Sequence, residues 1–165
     1  MIDVSKLPPK QLFELHSTIE DELLRKKVIC TRNNPTGDLA EHLFREAFPS
    51  WKPAEKSQRF DAIGPAPGKL RYQIKGRRII GKGSRQLSAI RDLKDNYFDS
   101  LAGVLFNEDY SVYRALIIPH AVIVSLKSHL TYQKHTRSHL FHLVESIWEI
   151  PGVRDVTAKL QSVWH

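Results

Sequence analysis

The 165-residue chain contains one cysteine, Cys30, so it can form no internal disulfide and no thiolate zinc centre. Without a partner thiol, Cys30 is expected to be a small buried hydrophobe. No apolar run approaches the ~20 residues needed to cross a bilayer, and the opening MIDVSKLPPK lacks the apolar core of a secretion leader. These absences point to a cytoplasmic protein with no membrane partner. No repeat, low-complexity tract or linker divides the chain, and its length fits a single domain with a sizeable core. It has no glycine-rich phosphate loop, no GxSxG elbow and no zinc-finger spacing. The aromatics Trp51, Tyr72, Tyr97, Phe98 and Trp148 are scattered, as core or interface residues are, and do not form a row of stacking platforms.

Acid is scarce where base is dense. The formal net charge is +7, and from Lys69 to Lys94 nine basic residues face a single acid, Asp92. Such a concentration favours a polyanionic partner, nucleic acid above all. A solvated basic face is the plainer reading. The N-terminal region has the opposite character, with Glu14, Glu20, Asp21 and Glu22 close together. His135, His139 and His142 lie near one another in HTRSHLFH, but HLFHLV reads as strand and no acid or cysteine stands at ligand spacing, so surface or half-buried histidines are expected.

Periodicity predicts a helix over about 10–27, a break at TRNNPTG, and a second helix over about 36–48 whose stripe is Leu39, Ala40, Leu43, Phe44, Ala47 and Phe48. RFDAIG and LRYQIKGRRII read as two strands of a hairpin around PAPGK. KGSRQLSAIRDLKDN reads as a turn and then a short helix. SLAGVLFN is apolar throughout, as a strand covered on both faces would be, and VYRALIIP is the next strand. HLFHLV adds a strand and about 155–163 a final helix. The expected fold is a single α/β domain, a mixed sheet flanked by helices.

Side chains alternate along a strand, so Gln73 and Lys75 project together while Tyr72 and Ile74 project the other way. Hairpin pairing brings Asp61 near both. Glu41 lies on the Phe44–Phe48 flank of its helix, away from the solvent pole, and Asp38 points elsewhere as a first-turn acid. Carboxylate oxygens from Asp61 and Glu41, with the Gln73 amide carbonyl, are hard ligands that suit Mg²⁺, and a lysine ammonium can stabilise charge on a phosphate. Each residue also has an ordinary reading. Glu41 and Arg45 are spaced as a helix-surface pair, Asp61 can bond within a turn, Gln73 can face outward, and Lys75 can protect a sheet edge.

The arrangement GDLAEHLFREAF … RFDAIG … RYQIKGRR resembles the PD-(D/E)xK, or restriction-endonuclease-like, nuclease superfamily: a helix with a glutamate, a strand with an aspartate, and a strand with acid-x-lysine. SRQLSAIRDL and the two strands after it extend the resemblance, which covers roughly residues 31–119, to a branch with Gln in the acid-x-lysine motif. It implies an αβββαβ core and hydrolysis of nucleic-acid phosphodiesters with Mg²⁺, for which Mn²⁺ can substitute. By position Asp61 would be the central metal ligand, Glu41 and Gln73 supporting ligands, and Lys75 the catalytic lysine. Arg71, Arg77, Arg78, Lys82, Arg85, Gln86 and Arg91 are the candidate contacts to phosphates, with Arg85 and Gln86 expected at a helix N-terminus. Double-stranded DNA is the expected substrate, and its two-fold symmetry favours a homodimer. The departure is Gln73, which binds a metal more weakly than a carboxylate and adds no charge. A catalytically inactive nucleic-acid-binding or assembly module is therefore the second reading, and a protein–protein scaffold the third.

Overall fold

The computed structural model describes residues 3–164. Its elements in chain order are α1 (Pro9–Arg25), α2 (Thr36–Ala47), β1 (Lys52–Pro53), β2 (Ala62–Ile63), β3 (Arg71–Arg78), β4 (Ile90–Arg91), β5 (Ser100–Phe106), β6 (Val112–Pro119), α3 (His120–Ser125), β7 (Leu130–Gln133), β8 (Ser138–Phe141), β9 (Arg154–Asp155) and α4 (Thr157–Gln161). A six-stranded mixed sheet has the order β1-β2-β3-β5-β6-β9, and a separate three-stranded sheet has the order β4-β8-β7. β3 and β5 run parallel over seven residue pairs, from Tyr72↔Ser100 to Arg78↔Phe106, and the other pairings are antiparallel. Among the described residues no helix is long and apolar enough to cross a membrane.

β5 is the spine of the fold. All seven of its residues are buried, as its unbroken apolar sequence predicts. Ala102, Val104 and Phe106 join the core under α2 and α4, while Leu101 and Leu105 join a second core with Leu87, Ile90, Phe141 and Leu143. The alternation of a strand thus serves two cores, one per face of the sheet.

α2 starts where Asn34 Oδ1 accepts the Thr36 N–H at 3.0 Å, with Pro35 at the N-cap. It buries Leu39, Ala40, Leu43, Phe44 and Ala47 against β3, each large side chain contributing about 1.5–3 kcal/mol. The helix sits close because β3 carries Gly76 beneath it. A Cβ on Gly76 would lie 2.8 Å from the Thr36 carbonyl oxygen and 2.9 Å from Ala40 Cβ. Trp51 stacks on Tyr72 (centroids 3.7 Å apart) and closes the other end of this layer.

Three expectations need correction. The segment after β3 forms no α-helix. Leu87, Ile90 and Leu93 have helical spacing, yet all three are buried in extended or 3₁₀ backbone. Main-chain bonds to β8 and the residues after it, including Leu87 N–H to the Phe141 carbonyl and Leu143 N–H to the Arg85 carbonyl, replace intrahelical ones. Positive φ at Asp92 and Asn96 breaks the segment further. Arg85 and Gln86 therefore sit at no helix N-terminus, and the αβββαβ core has an irregular crossover where its second helix is expected. Cys30 is exposed and not buried, because its loop is tied down through main-chain N–H groups: those of Cys30 and Thr31 donate to Asp38 Oδ2 at 2.7 and 3.0 Å. The final helix is cut to Thr157–Gln161 because residues 154–155 pair with β6 instead. α1 forms at the expected place but buries no residue, and Phe13 stays 78% exposed.

Candidate metal and nucleic-acid site

Asp61 stands where the β2–β3 hairpin ends. Its N–H donates to the Tyr72 carbonyl at 2.8 Å, continuing the ladder, but its side chain turns back to the edge of β3. There Oδ2 accepts the Ile74 N–H at 2.6 Å and the Gln73 side-chain amide. Oδ1 has no hydrogen-bond partner among the described residues. Burial pushes the Asp61 carboxyl up, against the Ile74 N–H, the Lys75 charge and the Gln73 amide, which all hold it down.

Glu41 reaches the same place from α2, one turn beyond the close contact at Gly76. Glu41 and Asp61 line one pocket of about 30 Å³, with Arg45, Trp51, Lys52 and Ile74 among the other walls. That is room for about one water molecule or a small ion. Glu41 keeps an exposed surface, yet protein atoms crowd its carboxylate. Its carboxyl is pushed up by desolvation first, then by the charges of Asp61 and Asp38. Lys75 and Arg45 oppose the shift.

Gln73 and Lys75 project from β3 away from Tyr72 and Ile74, as strand alternation predicts. Both line a groove of about 590 Å³ together with Gln58, Arg59, Arg91 and Tyr97. Asp61 joins the two hollows, since it walls the small pocket and bonds the Gln73 side chain of the groove. The four residues singled out in the sequence therefore adjoin, Glu41 from one side of the sheet edge and Gln73 and Lys75 from the other.

The chemistry of the donors fits a hard divalent cation in part. Two carboxylates line one small hollow, and the ionised form of each is disfavoured by its surroundings. Among the described residues no cluster of three His, Cys, Asp or Glu side chains forms. A cation here would rest on Asp61, Glu41, an amide oxygen and several waters, a set that Mg²⁺ accepts because it sheds its waters reluctantly. Gln73 stands where a third carboxylate would add charge, and its N–H already satisfies Asp61.

The basic residues divide. Arg91 lines the groove beside Lys75. Arg77 and Arg78 line a separate hollow next to Thr36 and Gly37, with Arg78 stacked on Tyr110 at 4.3 Å. Lys82 lies on an exposed turn. Three candidates are held by the fold. Arg71 grips Asp99 with two nitrogens at 2.8 and 3.0 Å. Arg85 pairs with Glu145 at 2.5 Å and stacks on Tyr113. The side chain of Gln86 bonds Nε2 of His142 at 2.7 Å. Arg59 and Tyr97 of the groove are additions that sequence spacing did not single out. Arg59 packs over the Tyr97 ring at 4.4 Å and pairs with Asp92 at 2.9 Å. Its place two residues before Asp61 was the one available signal. Compared with known proteins, the chain matches no family model and no curated sequence.

Proposed function

We propose that this chain is a divalent-metal-dependent nuclease domain that hydrolyses nucleic-acid phosphodiesters, DNA being the expected substrate. The observation that carries this reading is the pair Glu41 and Asp61, which wall one ion-sized pocket with both carboxyls raised from their ordinary values. Repulsion and dehydration of this kind are relieved when a cation enters, and a structural surface pair would have no reason to accept them. When bound, Mg²⁺, or Mn²⁺ in its place, supplies Lewis acidity to a phosphoryl oxygen and to water.

The chain's own residues do the rest. The Ile74 N–H and the Gln73 amide fix the Asp61 carboxylate and leave Oδ1 available. Lys75, whose charge acts on both carboxylates, lines the groove, where its ammonium stabilises charge gathering on a phosphate. Arg59 and Arg91 supply phosphate contacts along the groove. Assembly as a homodimer is part of the proposal, and sedimentation with and without DNA tests it.

The experiment is a cleavage assay with purified protein. Wild type is expected to cut DNA in Mg²⁺ or Mn²⁺ and to stop in EDTA. Lys75→Ala should lose at least about a hundredfold in rate while binding the substrate nearly as well. A second reading, a nucleic-acid-binding module without activity, is favoured by one observation: Gln73 gives Asp61 a hydrogen bond in place of the charge a third carboxylate would bring. Binding without cutting across metals and substrates would establish that reading instead.

A further inference from the structure

The β7–β8 hairpin of the three-stranded sheet plays no part in the chemistry above, yet it walls a cavity of its own. This hollow, about 510 Å³, opens between Tyr132, Arg137 and His139 of the β7–β8 hairpin and the Asp92–Asp95 turn. Its size is that of a small-molecule site, far larger than a lone phosphate needs. Asp92 is a wall both of this cavity and of the groove that holds Gln73 and Lys75. The two hollows therefore meet at one residue, which Arg59 clasps.

The lining is unusual for a plain surface dent. Tyr132 is 57% exposed on an edge strand, with its ring 5.0 Å from that of His139. His139 Nδ1 is buried without a partner. An imidazolium would place a second proton on that nitrogen, and burial, helped by Lys94, accordingly lowers the affinity of His139 for it. Arg137 sits at the hairpin turn with φ of 50°, and Lys94 comes from the opposite wall. Across both hollows the cations are Arg59, Lys75, Arg91, Lys94 and Arg137, against two carboxylates, Asp92 and Asp95. Of the five, only Arg59 has a carboxylate partner within 4.0 Å among the described residues.

An imidazole that resists charging, a carboxylate acceptor and an exposed aromatic ring suit a nucleobase, while flanking cations suit its phosphates. We propose that this cavity receives an unpaired base of a single nucleic-acid strand, stacked on Tyr132, with Lys94 and Arg137 on the adjoining phosphates and the strand running past Asp92 into the Lys75 groove. A base within a duplex has both faces covered by its neighbours, so the stack requires a strand that is single at this point. This inference rests on the nucleic-acid half of the proposed function and not on cleavage.

The test is fluorescence anisotropy in EDTA, which suppresses any metal-dependent cutting, with a labelled strand of about 15 nucleotides as DNA and as RNA, the matching blunt duplex, and a mononucleotide as competitor. Wild type is expected to bind a single strand more tightly than the duplex. Tyr132→Ala should weaken strand binding roughly tenfold and Tyr132→Phe hardly at all. Lys94→Ala should reduce the salt dependence of binding by about 0.7 in log–log slope, the loss of one phosphate contact. Tyr132 is exposed, so its variants should fold, and circular dichroism checks this. Equal affinity for duplex and strand, or wild-type binding by Tyr132→Ala, overturns the proposal. So does a mononucleotide that binds as tightly as the strand. The two readings fail separately. Cutting in Mg²⁺ that is indifferent to Tyr132 keeps the nuclease and removes the stacking site. Strand binding through Tyr132 with no cutting in any metal does the reverse.

Discussion

The side-chain amide of Gln73 and the main-chain N–H of Ile74 both donate to one oxygen of Asp61, Oδ2. Adjacent residues of one strand thus satisfy one oxygen of a half-buried carboxylate and leave the other without a hydrogen-bond partner among the described residues. Gln73→Glu removes a donor and adds a third negative charge. In EDTA this variant should lose about 1–3 kcal/mol of stability, the cost of stranding a buried acceptor. Saturating Mg²⁺ should restore most of it, because a ligand that binds only the folded state stabilises it by mass action. Thermal melts in EDTA and in Mg²⁺ read both effects. A variant as stable as wild type in EDTA and blind to Mg²⁺ would count against the metal site.

Glu41 and Asp61 have carboxyls raised in the folded state, so over the pH range just above the ordinary carboxylate value the native state holds more protons than the unfolded chain. Stability drawn from these groups is complete below their unfolded pKa values and is lost as pH rises through the folded ones. Glu41→Gln abolishes that loss. It should melt higher than wild type near pH 7, by up to about 1 kcal/mol given the solvent access of the side chain, and the gain should vanish in mild acid. The same variant should lose any stabilisation by Mg²⁺. Melts across pH, with and without the metal, check both.

Asp99 behaves in the opposite sense. Its hydrogen bonds to the Arg71 guanidinium hold its carboxyl below the ordinary value, so its contribution is present at neutral pH and disappears as acid titrates it. It also accepts the Arg71 main-chain N–H at 2.8 Å. Arg71→Ala should cost about 1–2 kcal/mol at neutral pH, as expected for charge-assisted bonds that remain partly solvated, and it should leave nucleic-acid affinity within about twofold. Denaturant melts and anisotropy measure the two. A large fall in affinity with no change in stability would return Arg71 to the set of phosphate contacts.

Gly76→Ala places a methyl group against the Thr36 carbonyl and Ala40 Cβ. Neither is the flexible end of a side chain, so α2 itself must shift. Overpacking of this kind costs about 1–3 kcal/mol. Because Glu41 rides on that helix, the variant should also weaken Mg²⁺ binding, and calorimetric titration of the folded protein is the check. Gly37→Ala is the control, since nothing lies within 4 Å of the added methyl.

The sequence could be read where local period and tertiary demand agree. Alternation in RYQIKGRR placed Tyr72 and Ile74 in the core and Gln73 and Lys75 outside it, and the all-apolar SLAGVLFN was legible as a strand covered twice. Glu41 and Asp61 could be placed because a helix period and a hairpin register are both short-range facts. Leu87, Ile90 and Leu93 misled because their helical spacing is equally met by an irregular chain that buries all three against β5 and β8, a partner about fifty residues away. No local pattern announces that pairing. For the same reason the Tyr132–His139 cavity was invisible, since its two walls come from stretches of chain about forty residues apart. The ion pairs of Arg71 and Arg85 were equally hidden, because a basic residue carries no mark of the acid that will claim it.

The interior position of β5 has a consequence for any attempt to trim the molecule. Cutting the chain after Pro119 would keep Glu41, Asp61, Gln73 and Lys75, yet it would strip the cover from Leu101, Leu105, Leu116 and Ile118, all of which are now fully buried. A minimal fragment of that kind would carry every proposed ligand and present a greasy slab to water. It should precipitate or pair with another chain, so the C-terminal third acts as the lid that keeps the remainder dissolved.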